Sequence, residues 1–205
     1  MLIKVCGMRE ADNIRAVEAA GADWMGFIFF PRSPRCVTDV PEYLPQHCRR
    51  VGVFVNADME EILQKAREWH LDFIQLHGDE TPEQCRALKA QGLGVIRAFR
   101  VATPQDLTAT AHYADGCDYF LFDTPTKDFG GSGRQFDWQL LRHYTGTTPF
   151  LLSGGLGPDS IAALRDFRHP ACCGIDLNSR FETAPAQKDA AALASFIQEI
   201  RHFNA

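Results

Sequence analysis

No apolar run in this chain approaches the roughly 18 residues that a membrane span needs, so a membrane-spanning protein is not expected. Basic residues are also in short supply. Lys and Arg number 21 against 26 Asp and Glu, leaving a formal net charge of −5. That sign disfavours a broad contact with nucleic acid or an anionic bilayer, although a few local donors suffice to hold a small anion. Seven cysteines are present, Cys6, Cys36, Cys48, Cys85, Cys117, Cys172 and Cys173. No two of them are spaced as CxxC and none has a histidine at a chelating interval, so reduced thiols are expected, with no metal site. Adjacent Cys172 and Cys173 would point to opposite faces of a strand, which makes them a poor chelate and a strained disulfide. Met1–Val5, interrupted at Lys4, is too short for a secretion signal, and a cytoplasmic location is expected. No linker or low-complexity stretch divides the 205 residues, so residues 1–205 are expected to form a single domain.

What the chain does have is one pattern written eight times. Short apolar runs fall at Leu2–Cys6, Trp24–Phe29, Val51–Val55, Phe73–Leu76, Val95–Phe99, Tyr119–Phe122, Pro149–Leu152 and Cys173–Leu177. They show little alternation, as strands buried on both faces should. Amphipathic stretches follow them. Asp58–His70 puts Met59, Ile62, Leu63, Ala66 and Trp69 on one face, and Lys188–Phe203 does the same with Leu193, Phe196, Ile197, Ile200 and Phe203. Thr81-Pro82-Glu83-Gln84 reads as a capping box with proline at the first helical position, and Gly157-Pro158-Asp159 opens a further helix. An open doubly wound sheet shares this alternation. Eight strand–helix units in this length fit a closed (β/α)8 barrel, the TIM barrel, better.

Chemistry in such a barrel gathers where strands end. The first run ends in Cys6-Gly7, the second leads to Pro31–Arg35, the fourth to His77-Gly78 and the sixth to Asp123. The seventh ends in Ser153-Gly154-Gly155 and the eighth in Asp176-Leu177-Asn178-Ser179-Arg180. Cys6 by itself reads as a small core residue; at a strand's end beside a glycine it reads as a general base, given a modest depression of its thiol pKa. Asp123 closes an apolar run too far from the next helix, expected near Phe136 or Asp137, to cap it. It reads as an acid whose pKa is raised by apolar walls. Thr124–Gln135, with Gly130-Gly131-Ser132-Gly133, reads as a surface loop or as a lid. Gly154-Gly155 and Asn178-Ser179 read as tight turns or, together, as a phosphate nest. Arg35 and His77 each retain a bland alternative, a solvated arginine and a half-buried histidine.

At this point the motifs resemble a known family. Lys4-Val5-Cys6-Gly7-Met8-Arg9, Gly26-Phe27-Ile28-Phe29 with Pro31–Arg35, Val51–Asn56, Gln75-Leu76-His77-Gly78, Asp123-Thr124 with Gly130–Gly133 and Phe136-Asp137-Trp138, Leu152–Leu156 and Asp176–Ser179 resemble the ordered blocks of phosphoribosylanthranilate isomerases. The resemblance implies an Amadori rearrangement of N-(5-phosphoribosyl)anthranilate, in tryptophan biosynthesis, without cofactor or metal. It implies Cys6 as base, Asp123 as acid, Arg35 for the anthranilate carboxylate, Asp176 for sugar hydroxyls, and Gly154, Gly155, Asn178 and Ser179 around the phosphate. His77, at the end of the fourth run, is a candidate substrate-binding residue by its position alone. A monomer or homodimer is expected. Two departures from the family pattern stand out: Arg180 where a small residue is usual, and Ala186-Gln187 in place of a glycine-containing turn. Other sugar-phosphate barrels are the competing reading, but an aminoimidazole-ribotide isomerase would favour aspartate in the place of Cys6, and a ribulose-phosphate epimerase would want more metal ligands than His77 supplies. A barrel that binds phosphate without catalysis would not need both Cys6 and Asp123.

Overall fold

A computed structural model describes residues 1–123 and 138–203, apart from the side chain of Phe203. Eight parallel strands close into a barrel in sequence order: β1 (Leu2–Cys6), β2 (Trp24–Ile28), β3 (Arg49–Phe54), β4 (Phe73–Leu76), β5 (Gly94–Arg100), β6 (Tyr119–Asp123), β7 (Phe150–Leu152) and β8 (Cys172–Leu177). Each lies within two residues of the run expected for it at either end. The expected loop over Thr124–Gln135 and the helix start at Phe136 or Asp137 lie outside the described residues.

The strands form where expected because both faces are buried. Outward residues such as Ile3, Val5, Met25, Phe27 and Ile74 pack under the helices, and all five are fully buried. A separate apolar cluster of inward residues fills the barrel: Trp24, Val51, Ile96, Ala98, Leu121 and Leu151, with Phe73 and Tyr119 against it. Trp24 stacks on Phe73 at 4.5 Å between ring centroids and meets Tyr119 edge-on at 5.0 Å. Full burial of such side chains contributes roughly 1.5–3 kcal/mol each. Along the inward positions toward the strand C-termini the interior turns polar, with Lys4, Gln75, Ser153 and Asp176.

The helices are α1 (Ala11–Ala19), α2 (Met59–Glu68), α3 (Pro82–Ala90), α4 (Ile161–Asp166) and α5 (Ala190–Phe203). In α2 the Asp58 side chain caps the Glu61 N–H at 2.8 Å, and the buried residues are Ile62 and Ala66. The Thr81 capping box forms in both directions: Gln84 N–H donates to Thr81 Oγ1 and Thr81 N–H to Gln84 Oε1. The uniform strand–helix alternation needs correction between β2 and β3, where residues 29–48 contain no helix. Pro31, Pro34, Pro41 and Pro45 recur through that segment, and each lacks the N–H that a helix interior requires. The connections after β5 and β6 carry 3₁₀ turns, Pro104–Tyr113 and Trp138–His143. After β8 the chain makes one further 3₁₀ turn (Ser179–Phe181) and a small hairpin, β9 (Glu182–Ala184) and β10 (Gln187–Lys188). Ala186 turns that hairpin at φ 66°. A left-handed residue bearing a Cβ costs roughly 1–2 kcal/mol, which accounts for the glycine usual in this turn.

Candidate active site

The polar mouth of the barrel opens into a cleft. Cys6, His77, Asp123, Gly154, Gly155, Asp176, Asn178 and Ser179 all line it, so the structure brings together eight of the residues singled out in the sequence. Arg35 is not among the lining residues.

Strand parity explains the assembly. In β1, Lys4 and Cys6 are two residues apart and share the inner face. Cys6 is 4% exposed. A Cβ on Gly26, its register partner in β2, would stand 2.7 Å from the Cys6 sulfur, so the absence of a side chain there makes room for the thiol. Lys4 is fully buried and pairs in register with Asp176 of β8. Its Nζ donates to Asp176 Oδ1 at 2.6 Å, and Ser153 Oγ donates to Asp176 Oδ2 at 3.2 Å. Burial works against the Lys4 charge, yet Asp176 and Cys6 outweigh it and hold the ammonium pKa above its ordinary value.

The thiol behaves differently from the sequence expectation. Burial pushes the Cys6 pKa up, and the opposing pull of Lys4 and Lys188 does not cancel it. The depression anticipated for a strand-end cysteine is therefore reversed: water is excluded from the sulfur, and its anion loses more solvation than the lysines return.

On the other side of the cleft, β4 places Gln75 on the same face as His77. The Gln75 amide nitrogen lies 3.1 Å from His77 Nδ1, and His77 Nε2 lies 3.5 Å from Asp123 Oδ2. Gly154 and Gly155 both adopt positive φ, 88° and 70°. Only glycine takes that conformation readily, and it turns successive backbone groups to one side after β7. Arg180 lines the cleft and donates from one guanidinium nitrogen to both Asp159 oxygens at 2.9 Å, tying the segment after β8 to the one after β7.

Arg35 is engaged beside the mouth. Its Nε and Nη2 form a fork on Glu182 at 2.6–3.0 Å. Lys188 also bonds Glu182 and donates to Asn178 Oδ1 at 2.8 Å. Burial raises the Glu182 pKa, but Arg35 and Lys188 overcome it and keep the carboxyl below its ordinary range. Burial dominates for Lys188, whose pKa is lowered. Sequence reasoning passed over Lys4, Gln75, Ser153, Glu182 and Lys188. Lys4 and Gln75 carried a legible signal, a polar residue at the inward parity of an apolar strand that also ends in a candidate residue. Glu182 and Lys188 carried none, since their hairpin folds back over the mouth only in three dimensions.

With these groups at the C-terminal mouth of a closed parallel barrel, the chain takes its place among the (β/α)8-barrel enzymes. Comparison with known proteins narrows the class. The family model for N-(5'-phosphoribosyl)anthranilate (PRA) isomerase matches residues 3–199, and the chain belongs to that family. An N-(5'-phosphoribosyl)anthranilate isomerase of Phocaeicola vulgatus is 61% identical over 201 residues, covering 98% of each chain. The crystal structure of phosphoribosyl anthranilate isomerase from Thermotoga maritima superposes with a TM-score of 0.84 at 32% identity, covering 98% of this chain and 99% of that one. A phosphoribosyl anthranilate isomerase in complex with reduced 1-(o-carboxyphenylamino)-1-deoxyribulose 5-phosphate matches with a TM-score of 0.80 at 30% identity, covering 98% of this chain and 100% of that one.

Proposed function

We propose that this chain isomerises N-(5'-phosphoribosyl)anthranilate to 1-(o-carboxyphenylamino)-1-deoxyribulose 5-phosphate, with Cys6 as general base and Asp123 as general acid. The observation that carries the reading is that Cys6 of β1 and Asp123 of β6, distant in sequence, line one cleft with the glycine turn after β7. Asp123 gives its proton to the furanose ring oxygen. The C1–O bond breaks, its electron pair stays on that oxygen, and the nitrogen lone pair forms C1=N. Cys6, as thiolate, then removes the proton from C2. The C–H electrons form C1=C2 and the C=N pair returns to nitrogen, giving an enolamine. Protonation at C1 and loss of the C2 hydroxyl proton complete the ketone. No redox change occurs, and the substrate's own nitrogen is the electron sink. Asp176 accepts from sugar hydroxyls, and His77 contacts substrate beside Asp123. Purified protein should consume phosphoribosylanthranilate with loss of its fluorescence; unchanged fluorescence at high enzyme concentration would reject the assignment.

The phosphate is placed between Gly154-Gly155 and Asn178-Ser179. Those two segments follow adjacent strands, and positive φ at both glycines lets the main chain approach an oxygen closely. Crystals grown in sulfate are expected to hold an anion there without substrate. An anion found instead beside Arg32 and Arg35 would move the phosphate to the opposite wall.

Arg35 is the proposed anthranilate-carboxylate ligand. Its Nε and Nη2 are occupied by Glu182, a pairing that fixes the plane of the guanidinium beside the mouth. Arg35→Met is expected to raise KM by about 10- to 100-fold with a smaller change in kcat, because a charge-assisted hydrogen bond is worth ~1.5–3 kcal/mol and ~1.4 kcal/mol is tenfold. The contact lies away from the migrating proton and acts in ground and transition states alike. An unchanged KM would leave Arg35 as the partner of Glu182 alone.

A further inference from the structure

Lys4 lies next to the apolar cluster that fills the barrel, and a buried lysine there demands a reason. Lys4 is fully exposed to neither water nor the cleft mouth; it is 0% exposed, and an unpaired buried ammonium costs several kcal/mol. Its register partner Asp176 supplies one anion, at 2.6 Å. An ammonium carries three donors, and Cys6, itself buried, lies two residues along on the same inner face of β1. Gly26 opposite leaves room for the sulfur on this face, since any Cβ there would stand 2.7 Å from it.

We propose that Lys4 is the positioning residue of the candidate base: its buried ammonium, held by Asp176 on the inner face that Cys6 shares, stabilises the Cys6 thiolate by its charge. The inference deepens the reading of Cys6 as general base and rests on that reading for its consequence in turnover. The charged groups around the sulfur are few. β1 contributes Lys4, β8 contributes Asp176, which opposes the thiolate, and β10 contributes Lys188. β2 contributes none at this level, since its residue there is Gly26. The charge of Lys188 is already shared with Glu182 and Asn178, and Glu182 is further shared with Arg35. Among the described residues, Lys4 has Asp176 as its one anionic partner until Cys6 ionises.

The test reads the thiolate directly and needs no substrate. The rate of Cys6 alkylation by iodoacetamide is followed against pH by peptide mass, which separates Cys6 from the other six cysteines. In Lys4→Met the midpoint is expected to move up by about one pH unit or more, the range for loss of an adjacent opposite charge, with alkylation at least about tenfold slower at neutral pH. Lys4→Arg, which keeps a charge, is expected to recover much of the wild-type profile. If Lys4→Met does not fold, Lys4→Gln, which keeps a donor for Asp176 and drops the charge, carries the same comparison. Superimposable profiles for wild type and the neutral variant would overturn the proposal. The two readings fail separately: an active Cys6→Ser enzyme would remove Cys6 as base while a shifted alkylation profile would still hold Lys4 beside its thiolate.

Discussion

Cys6→Ser is expected to lower turnover by roughly 10²–10⁴, the usual cost of losing a general base, while the fold and the affinity for a reduced product analogue survive. Serine fits the space that Gly26 leaves for the sulfur, so packing changes little. What changes is acidity, because a hydroxyl beside the same Lys4 ionises far less than a thiol. The wild-type pH profile should report the same group. Burial favours the neutral form of an acid, and the Cys6 thiol accordingly sits above its ordinary value of 9.0. The thiolate fraction therefore grows as pH rises through neutrality, and kcat/KM, which reports the free enzyme, should climb with it. A flat profile from pH 7 to 9, or near-wild-type activity in Cys6→Ser, would exclude the thiol as base.

Asp123→Asn is expected to cost a similar roughly 10²–10⁴ in kcat, through a different step. Asparagine keeps the volume and can still face His77 Nε2, now 3.5 Å from the carboxylate, but it has no acidic proton for the ring oxygen. Ring opening should stall with substrate bound. Binding of the reduced product analogue separates the two roles: a variant that loses affinity but keeps its rate constant would make Asp123 a ligand and not the acid.

Much of this architecture was legible in the residues. Strands buried on both faces read as unbroken apolar runs, and all eight were found because nothing in a parallel barrel forces alternation. The missing helix between β2 and β3 could have been anticipated from Pro31, Pro34, Pro41 and Pro45, but the strand rhythm on either side obscured it. Site residues were legible by position, since a strand's C-terminal end needs no tertiary information. The environment of each was not. Whether the Cys6 pKa rises or falls depends on how deeply the sulfur is buried and where Lys4 and Lys188 end, and both are set by β8 and β10, more than 160 residues away. The fork between Arg35 and Glu182 is equally remote, spanning 147 positions. A polar residue at inward parity, such as Lys4 or Gln75, is the one local sign that a network lies behind the strand ends.

The division of labour between base and acid is the centre of the account, and an isotope experiment tests it most directly. Substrate deuterated at C2 and ordinary substrate are compared in single turnovers of Cys6→Ser and Asp123→Asn. In Cys6→Ser, removal of the C2 proton should limit the residual rate, giving a primary isotope effect. In Asp123→Asn, ring opening should limit it, and deuterium at C2 should make no difference. The reverse pattern, an effect in Asp123→Asn and none in Cys6→Ser, would contradict the assignment of Cys6 to the C2 proton and of Asp123 to the ring oxygen.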